Sequence, residues 1–196
     1  MTKNELRRYI REEKRHFTQQ QLGEMSLHIM SHLLQHPRVA EAETILMYHS
    51  LPDEVNTHDA LDQLLAMGKK VLLPKVISDT EMTIHEYTGP DSLVPSEPYG
   101  ILEPKADSIY DFQAAVDAIT SPPSPITKHL IVVSGMAFDG SGHRLGRGKG
   151  YYDRFLSRVP NNIYKIGVCF PFQMVEDVPS ESTDILMDEV ICESER

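Results

Sequence analysis

The sequence has 196 residues, 40% apolar and 24% charged, a balance that excludes a disordered or fibrous chain and leaves interior enough for one hydrophobic core. Its formal net charge of −10 argues against broad binding to nucleic acid or to an anionic membrane. No apolar run approaches bilayer-spanning length, the segment MTKNELRRYIREEK lacks an apolar signal region, and Cys169 and Cys192 are too few for a disulfide framework, which together predict a cytoplasmic protein folded as one domain over residues 1–196.

The chain opens with helical signals. Thr2 and Glu5 have capping-box spacing, and Leu6, Tyr9, Ile10, Glu13 and Phe17 trace one partly apolar face. Thr18 with Gln21 starts a second helix, which runs through Leu22, Met25, Ile29 and Leu33 and stops near Pro37. TILMYH, from Thr44 to His49, reads as a buried strand, followed by the loop SLPDEVN and a helix from about Thr57 to Met67 closed by Gly68. Val71 to Pro74 is the next strand, so this β-α-β unit predicts a parallel pair. Met82 to Tyr87 alternates more openly, as an edge strand does. Residues 88–128 are rich in Pro, Ser and Gly, with Pro122, Pro123 and Pro125 close together, and read as irregular surface chain. LIVVS, from Leu130 to Ser134, is the clearest buried strand; a helix from about Gly150 to Arg158 and strands at Lys165–Phe170 and Ile185–Ile191 complete the chain. Such alternation predicts a three-layer α/β/α fold with a mostly parallel central sheet, Rossmann-like in the broad sense.

The charge is unevenly spread. Residues 1–16 carry six cations against three acids, and residues 139–154 carry four against two, which leaves −15 on the rest. Two basic islands in an acidic chain suit a small anionic ligand better than a polyanion. The second island lies in GMAFDGSGHRLGRGKGYYDRFL, a glycine-rich turn between LIVVS and a helix start. Bare backbone N–H groups can approach an anion there, at the carboxyl ends of parallel strands where ligands bind. Two familiar phosphate motifs fail: the P-loop pattern meets His143 where Gly should stand and Gly150 where Ser or Thr should, and GxGxxG from Gly146 ends on Tyr151. Interleaved Arg144, Arg147 and Lys149 fit a triphosphate, with Asp153 just past the loop as a carboxylate for Mg2+. A surface loop with solvated charges has the same composition.

The full string GHRLGRGKGYYDR resembles the signature of the 5-formyltetrahydrofolate cyclo-ligase family at essentially every position. Lys3 and Arg7 resemble that family's N-terminal Lys-xxx-Arg, Asp53-Glu54 its acidic pair, Tyr99-Gly100-Ile101 with Glu103-Pro104 its central Gly-Ile-x-Glu-Pro, and Asp188-Glu189 its final Asp-Glu-Val. The resemblance implies ATP held by Lys3, Arg7 and the run Arg144, Leu145, Gly146, Arg147, Gly148, Lys149, Gly150, Tyr151 and Tyr152. It implies folate contacts from His49, Glu54, Arg147, Gly148, Lys149, Gly150 and Tyr151, and Mg2+ on Asp153 and Asp188. His49 stands where relatives have an apolar or aromatic side chain. Lys3, Arg7, Arg11 and Arg15 recur every four residues, so they stack on one helix face and repel by about 0.2–0.5 kcal/mol per pair unless an anion relieves them.

The implied reaction is ATP-dependent closure of 5-formyltetrahydrofolate to the 5,10-methenyl form with release of ADP and phosphate. The formyl oxygen on N5 attacks the γ-phosphate, N10 attacks the activated carbon, and phosphate leaves. Arg147, Lys149 and Tyr152 are the implied catalytic side chains, acting by positioning and charge neutralisation. The partners are small molecules, with a monomer favoured and neither nucleic acid nor membrane required. Two other readings compete: a sugar-phosphate isomerase or CoA-transferase-like α/β enzyme, and a non-catalytic folate- or nucleotide-binding relative.

Overall fold

The computed structural model describes residues 1–96, 101–105, 109–112, 114–115 and 128–192. A six-stranded sheet forms its centre, in the order β11 (Glu189–Ile191), β9 (Tyr164–Val168), β6 (His129–Val133), β1 (Thr44–Leu46), β2 (Lys70–Val76) and β3 (Met82–Tyr87). Every neighbouring pair is parallel except β2–β3, which is antiparallel and places β3 at the edge. The helix α4 (His58–Ala66) joins β1 to β2, so the parallel pair expected of that β-α-β unit is present.

Alternation along the strands assigns the two faces. Ile45, Met47, Val71, Leu73, Leu130, Val132, Ile166 and Val168 point to one side, where α2 (Gln19–Leu34), α3 (Pro37–Glu41) and α4 cover them through Ile29, Leu33, Val39, Leu61 and Leu64. Leu46, Leu72, Ile131 and Val133 point to the other side and meet Leu156 of α5 (Tyr151–Leu156), Phe138 and Ile163. These are the three expected layers. Both N-terminal capping boxes form: Thr2 Oγ1 accepts from the Glu5 N–H while Glu5 Oε2 accepts from the Thr2 N–H, and Thr18 pairs with Gln21 in the same way.

The helix α1 (Lys3–Lys14) stays away from the main sheet. Its buried Leu6 and Ile10 pack on Met136, Ala137, Leu145 and Val178, around a small sheet of β10 (Met174–Val175), β7 (Ala137–Asp139) and β8 (Arg144–Leu145). This small sheet corrects the expected strand-to-glycine-turn step. The β7–β8 ribbon intervenes between LIVVS and the loop, because Ala137, Phe138 and Leu145 are themselves buried. A second correction concerns residues 88–128: Leu93–Ser96 (β4) and Ile101–Pro104 (β5) pair as an antiparallel hairpin rather than running irregularly. Pro95 does not prevent it, since a two-stranded hairpin has free edges where a missing N–H goes unnoticed. Tyr99, Gly100 and the proline cluster at 122–125 lie outside the described residues. The last strand is also shorter than Ile185–Ile191, and α1 ends at Lys14, leaving Phe17 to stack on Phe172 at 5.0 Å.

Phe138, fully buried, joins the small sheet to the large one. Its ring sits where side chains on Gly135 and Gly167 would stand; a Cβ on Gly135 would come within 2.8 Å of it, and one on Gly167 closer still. Gly167→Ala is therefore expected to overpack this joint and cost about 1–3 kcal/mol, read as a lower urea midpoint at unchanged m-value. Unaltered stability would mean that the ring has room to move.

Candidate functional site

The carboxyl ends of β1, β2 and β6 open on a cavity of about 290 Å3. One wall is apolar, built by Leu51, Pro74, Val76, Met82, Leu102 and Pro104. The opposite wall carries the glycine-rich segment: Arg144, Gly146, Arg147, Lys149 and Gly150, then Tyr151, Tyr152 and Asp153 at the start of α5. Tyr48, His49, Glu54, Ser134 and Gly135 form the floor from the ends of β1 and β6. An apolar slot facing convergent cations suits a flat heterocycle carrying or meeting an anion.

Backbone conformation explains the glycines at two positions. Gly148 has φ +109° and Gly150 φ +68°, a region that side chains avoid. At Gly148, moreover, the guanidinium of Arg7 lies about 3.5 Å from where a Cβ would be. Arg7 Nε donates to the carbonyl oxygen of Gly146 at 2.8 Å, so α1 is fastened directly to the loop. The six-residue α5 has too small a dipole to organise an anion site, and the side-chain cations carry that affinity instead.

Each cation of the site is held by an acid. Arg144, with only 3% of its side chain exposed, donates from Nη2 to Asp153 Oδ1 at 2.8 Å and lies over the Tyr152 ring at 5.3 Å. Arg147 Nη2 reaches Asp53 Oδ1 at 2.6 Å and Glu54 Oε1 at 3.2 Å, while its Nε donates to Glu54 Oε1 at 3.3 Å. Glu54 also accepts from Ser134 Oγ and from the Leu51 N–H. Lys149 meets Asp79 at 3.2 Å, both side chains well exposed, a pair worth little in water. Tyr151 donates to the Ser78 carbonyl at 3.1 Å and Arg154 Nε to that of Thr80 at 2.9 Å, which pins the loop's far end to the β2–β3 turn.

Electrostatics follow from this packing. Burial pushes the Tyr152 phenol well up and Glu54 adds to it, so the group stays protonated and can donate a hydrogen bond at neutral pH. Burial also raises the Asp53 carboxyl, but Arg147 and Lys14 together hold it below its ordinary value. His49 is stacked on His58, ring centroids 4.0 Å apart, and burial with the neighbouring imidazole lowers its pKa from 6.5 to about 4.

The residues singled out from sequence thus divide. His49, Glu54, Arg144, Gly146, Arg147, Lys149, Gly150, Tyr151, Tyr152 and Asp153 line one cavity. Arg7 and Gly148 stand directly behind it, and Leu145 is buried under α1. Lys3 is instead tied to Glu181 and Asp184, both at 3.0 Å. Asp188 lies outside the cavity lining, its Oδ2 accepting from the Lys165 N–H at 2.7 Å and from the Lys165 ammonium at 3.1 Å. Among the described residues no three His, Cys, Asp or Glu side chains cluster as a ready-made metal site. Sequence spacing did not place the apolar wall from β2, β3 and β5, of which only Pro104 belongs to a string singled out above, nor Lys14, which holds Asp53.

Known proteins resemble this chain over nearly its whole length. A model of the 5-formyltetrahydrofolate cyclo-ligase family matches residues 1–193. The chain belongs to that family. A cyclo-ligase of this name from Escherichia coli is 30% identical over 191 residues, covering 94% of this chain and 97% of the relative. A probable member from Schizosaccharomyces pombe is 25% identical over 203 residues, covering 97% and 95%. The Aquifex aeolicus 5,10-methenyltetrahydrofolate synthetase has a similar structure, with TM-score 0.78, 28% identity and coverage of 98% of this chain and 90% of that one. A synthetase of the same name from Mycoplasma pneumoniae, 24% identical with TM-score 0.72 over 97% and 98% of the two chains, shares the fold.

The packing around His49 makes stability depend on acid. Because the folded pKa of His49 lies below its unfolded value, unfolding takes up a proton between them. Its contribution to stability is therefore complete above 6.5 and lost progressively as pH falls toward about 4. Urea unfolding of the wild type and His49→Asn, compared at about pH 7 and about pH 5, should show the wild type losing more stability on acidification. Equal losses would show that His49 does not titrate as its surroundings dictate.

Proposed function

We propose that this chain converts 5-formyltetrahydrofolate to 5,10-methenyltetrahydrofolate at the expense of ATP, with ADP and phosphate released. The observation that carries the reading is the single cavity in which Arg144, Arg147, Lys149 and Asp153 face an apolar slot floored by Glu54. A triphosphate at the glycine-rich segment and a pterin in the slot bring the reacting oxygen and the γ-phosphate into one space.

In this reading Lys3, Arg7 and residues 144–152 bind ATP, and His49, Glu54 and residues 147–151 contact folate. Glu54 accepts from the amino edge of the pterin, and Tyr151 and Tyr152 present ring faces or phenolic donors. Lys149 leaves its exposed partner Asp79 for the γ-phosphate, an exchange that costs little, while Arg147 stays on Asp53 and Glu54 and offers the phosphate its remaining donor. The N5-formyl oxygen, oriented by this frame, takes the γ-phosphoryl group, and closure by N10 expels phosphate; the chain supplies position and positive charge rather than an acid–base group. Asp153 fits a bound Mg2+, since one carboxylate beside the phosphates is the usual protein share of such a site and its side chain is about one-third exposed in the cavity. Asp188 is the second carboxylate of the reading and would have to turn from Lys165 to serve. Mg2+ bound there would neutralise charge on the phosphates. We further read the enzyme as a monomer of the cytoplasm acting on small molecules. Both of its cysteines are free, and no described helix is long and apolar enough to cross a membrane.

Mixing the protein with ATP, Mg2+ and 5-formyltetrahydrofolate should raise the near-ultraviolet absorbance of the methenyl product, strictly dependent on ATP. No rise, with folate and ATP still bound, would identify a non-catalytic relative. Lys149→Ala and Asp153→Ala are expected to lose about 100-fold or more in turnover, Lys149→Ala with its thermal midpoint kept and Asp153→Ala folded but with a lower midpoint because buried Arg144 loses its partner. Asp188→Ala tests the second carboxylate in the same assay. Near-normal rates in the first two variants would remove those residues from the mechanism.

A further inference from the structure

Asp53 has no part in the reaction as described, yet it is where two remote segments meet. Lys14, at the end of α1, reaches its Oδ2 at 3.2 Å and also donates to its backbone carbonyl oxygen. Arg147, from the glycine-rich segment, reaches its Oδ1 at 2.6 Å. Glu54 next door takes the remaining contacts of the same guanidinium, from Nε and Nη2. The two acids thus grip one edge of a planar group, and Nη1 is the donor committed to neither. A guanidinium held along an edge cannot rotate about its own plane, so the direction of its remaining donor is fixed.

This contact is poorly suited to a purely stabilising role. The Asp53 and Arg147 side chains are 42% and 43% exposed, and ion pairs at such exposure contribute little to folding. Its geometric effect is larger, because the acid links both cationic elements that flank the cavity. Arg7 gives a second fastening of α1 to the loop, through Gly146. With Asp53 also in place, α1 and the loop are tied at two points two turns of helix apart.

We propose that Asp53 is a positioning residue: its charge aims the guanidinium of Arg147 and, through Lys14, keeps α1 in register with the glycine-rich segment. The proposal rests on the reading of Arg147 as a phosphate-binding cation. Carboxylate-to-amide replacement keeps the size of the side chain but removes the charge that aligns both cations. In the full-length enzyme, Asp53→Asn should lower kcat for methenyl formation about tenfold while changing the KM for ATP less than about twofold, with the thermal midpoint unmoved. A role in folding alone would lower the midpoint and leave kcat per folded molecule intact. The deciding measurement is a double-mutant cycle with Arg147→Ala. If Asp53 acts through Arg147, Asp53→Asn costs nothing further in the Arg147→Ala background; a second tenfold loss there overturns the proposal. Full turnover by Asp53→Asn beside a slow Arg147→Ala overturns the positioning role alone, whereas full turnover by Arg147→Ala itself overturns the phosphate reading of that arginine and the proposal with it.

Discussion

Leu6 and Ile10 enter an apolar patch made by Met136, Ala137, Leu145 and Val178, apart from both clusters that flank the main sheet. Burying two such side chains stabilises the contact by roughly 3–6 kcal/mol, enough to hold a 12-residue helix that would be marginal by itself. From that docking the rest of the site follows. Arg7, one residue on from Leu6, falls against Gly146 and Gly148; Lys14, one turn past Ile10, falls against Asp53. The small sheet under α1 is in turn anchored to the large one by Phe138 between Gly135 and Gly167.

Charge balance explains how a chain of net charge −10 can hold so many cations around one cavity. Each is matched locally: Arg144 by Asp153, Arg147 by Asp53 and Glu54, Lys149 by Asp79. Unmatched, these cations would repel one another in a site partly shielded from water. The pairs differ in how readily they can be exchanged. The Arg144–Asp153 bridge has a nearly fully buried arginine, whose separation from its partner would be costly, so it acts as framework. The pair of Lys149 faces solvent and can give way to phosphate oxygens, whereas Arg147 is kept in place by Asp53 and the largely buried Glu54.

Much of this was legible in the sequence, and the limits have physical causes. The parallel strands were readable because continuous apolar runs such as LIVVS have few other uses, and both capping boxes were readable because they are local hydrogen-bond patterns. The β7–β8 ribbon was not, since its strands are three and two residues long and joined by a glycine-containing turn, too short for any periodicity. Nor was the β4–β5 hairpin, hidden in a Pro- and Ser-rich stretch. The glycine-rich wall of the cavity could be read residue by residue from one string. Its apolar wall could not, because Pro74, Val76, Met82 and Leu102 become neighbours only once β2, β3 and β5 are assembled. Equally, spacing stacked Lys3 and Arg7 on one helix face, but nothing local could foresee that Lys3 would be engaged by Glu181 and Asp184.

The docking of α1 has a consequence for how the protein is made. Its apolar partners lie some 130 residues further along the chain, at Met136 to Leu145 and again at Val178. At ribosomal speeds of about 5–20 residues per second, Leu6 and Ile10 wait on the order of ten seconds before their pocket exists. During that interval the first helix carries an uncovered greasy stripe beside a row of cations, while β1, α4 and β2 can already fold against α2. The nascent chain therefore builds its scaffold from the front, but its earliest helix is among the last pieces to be seated.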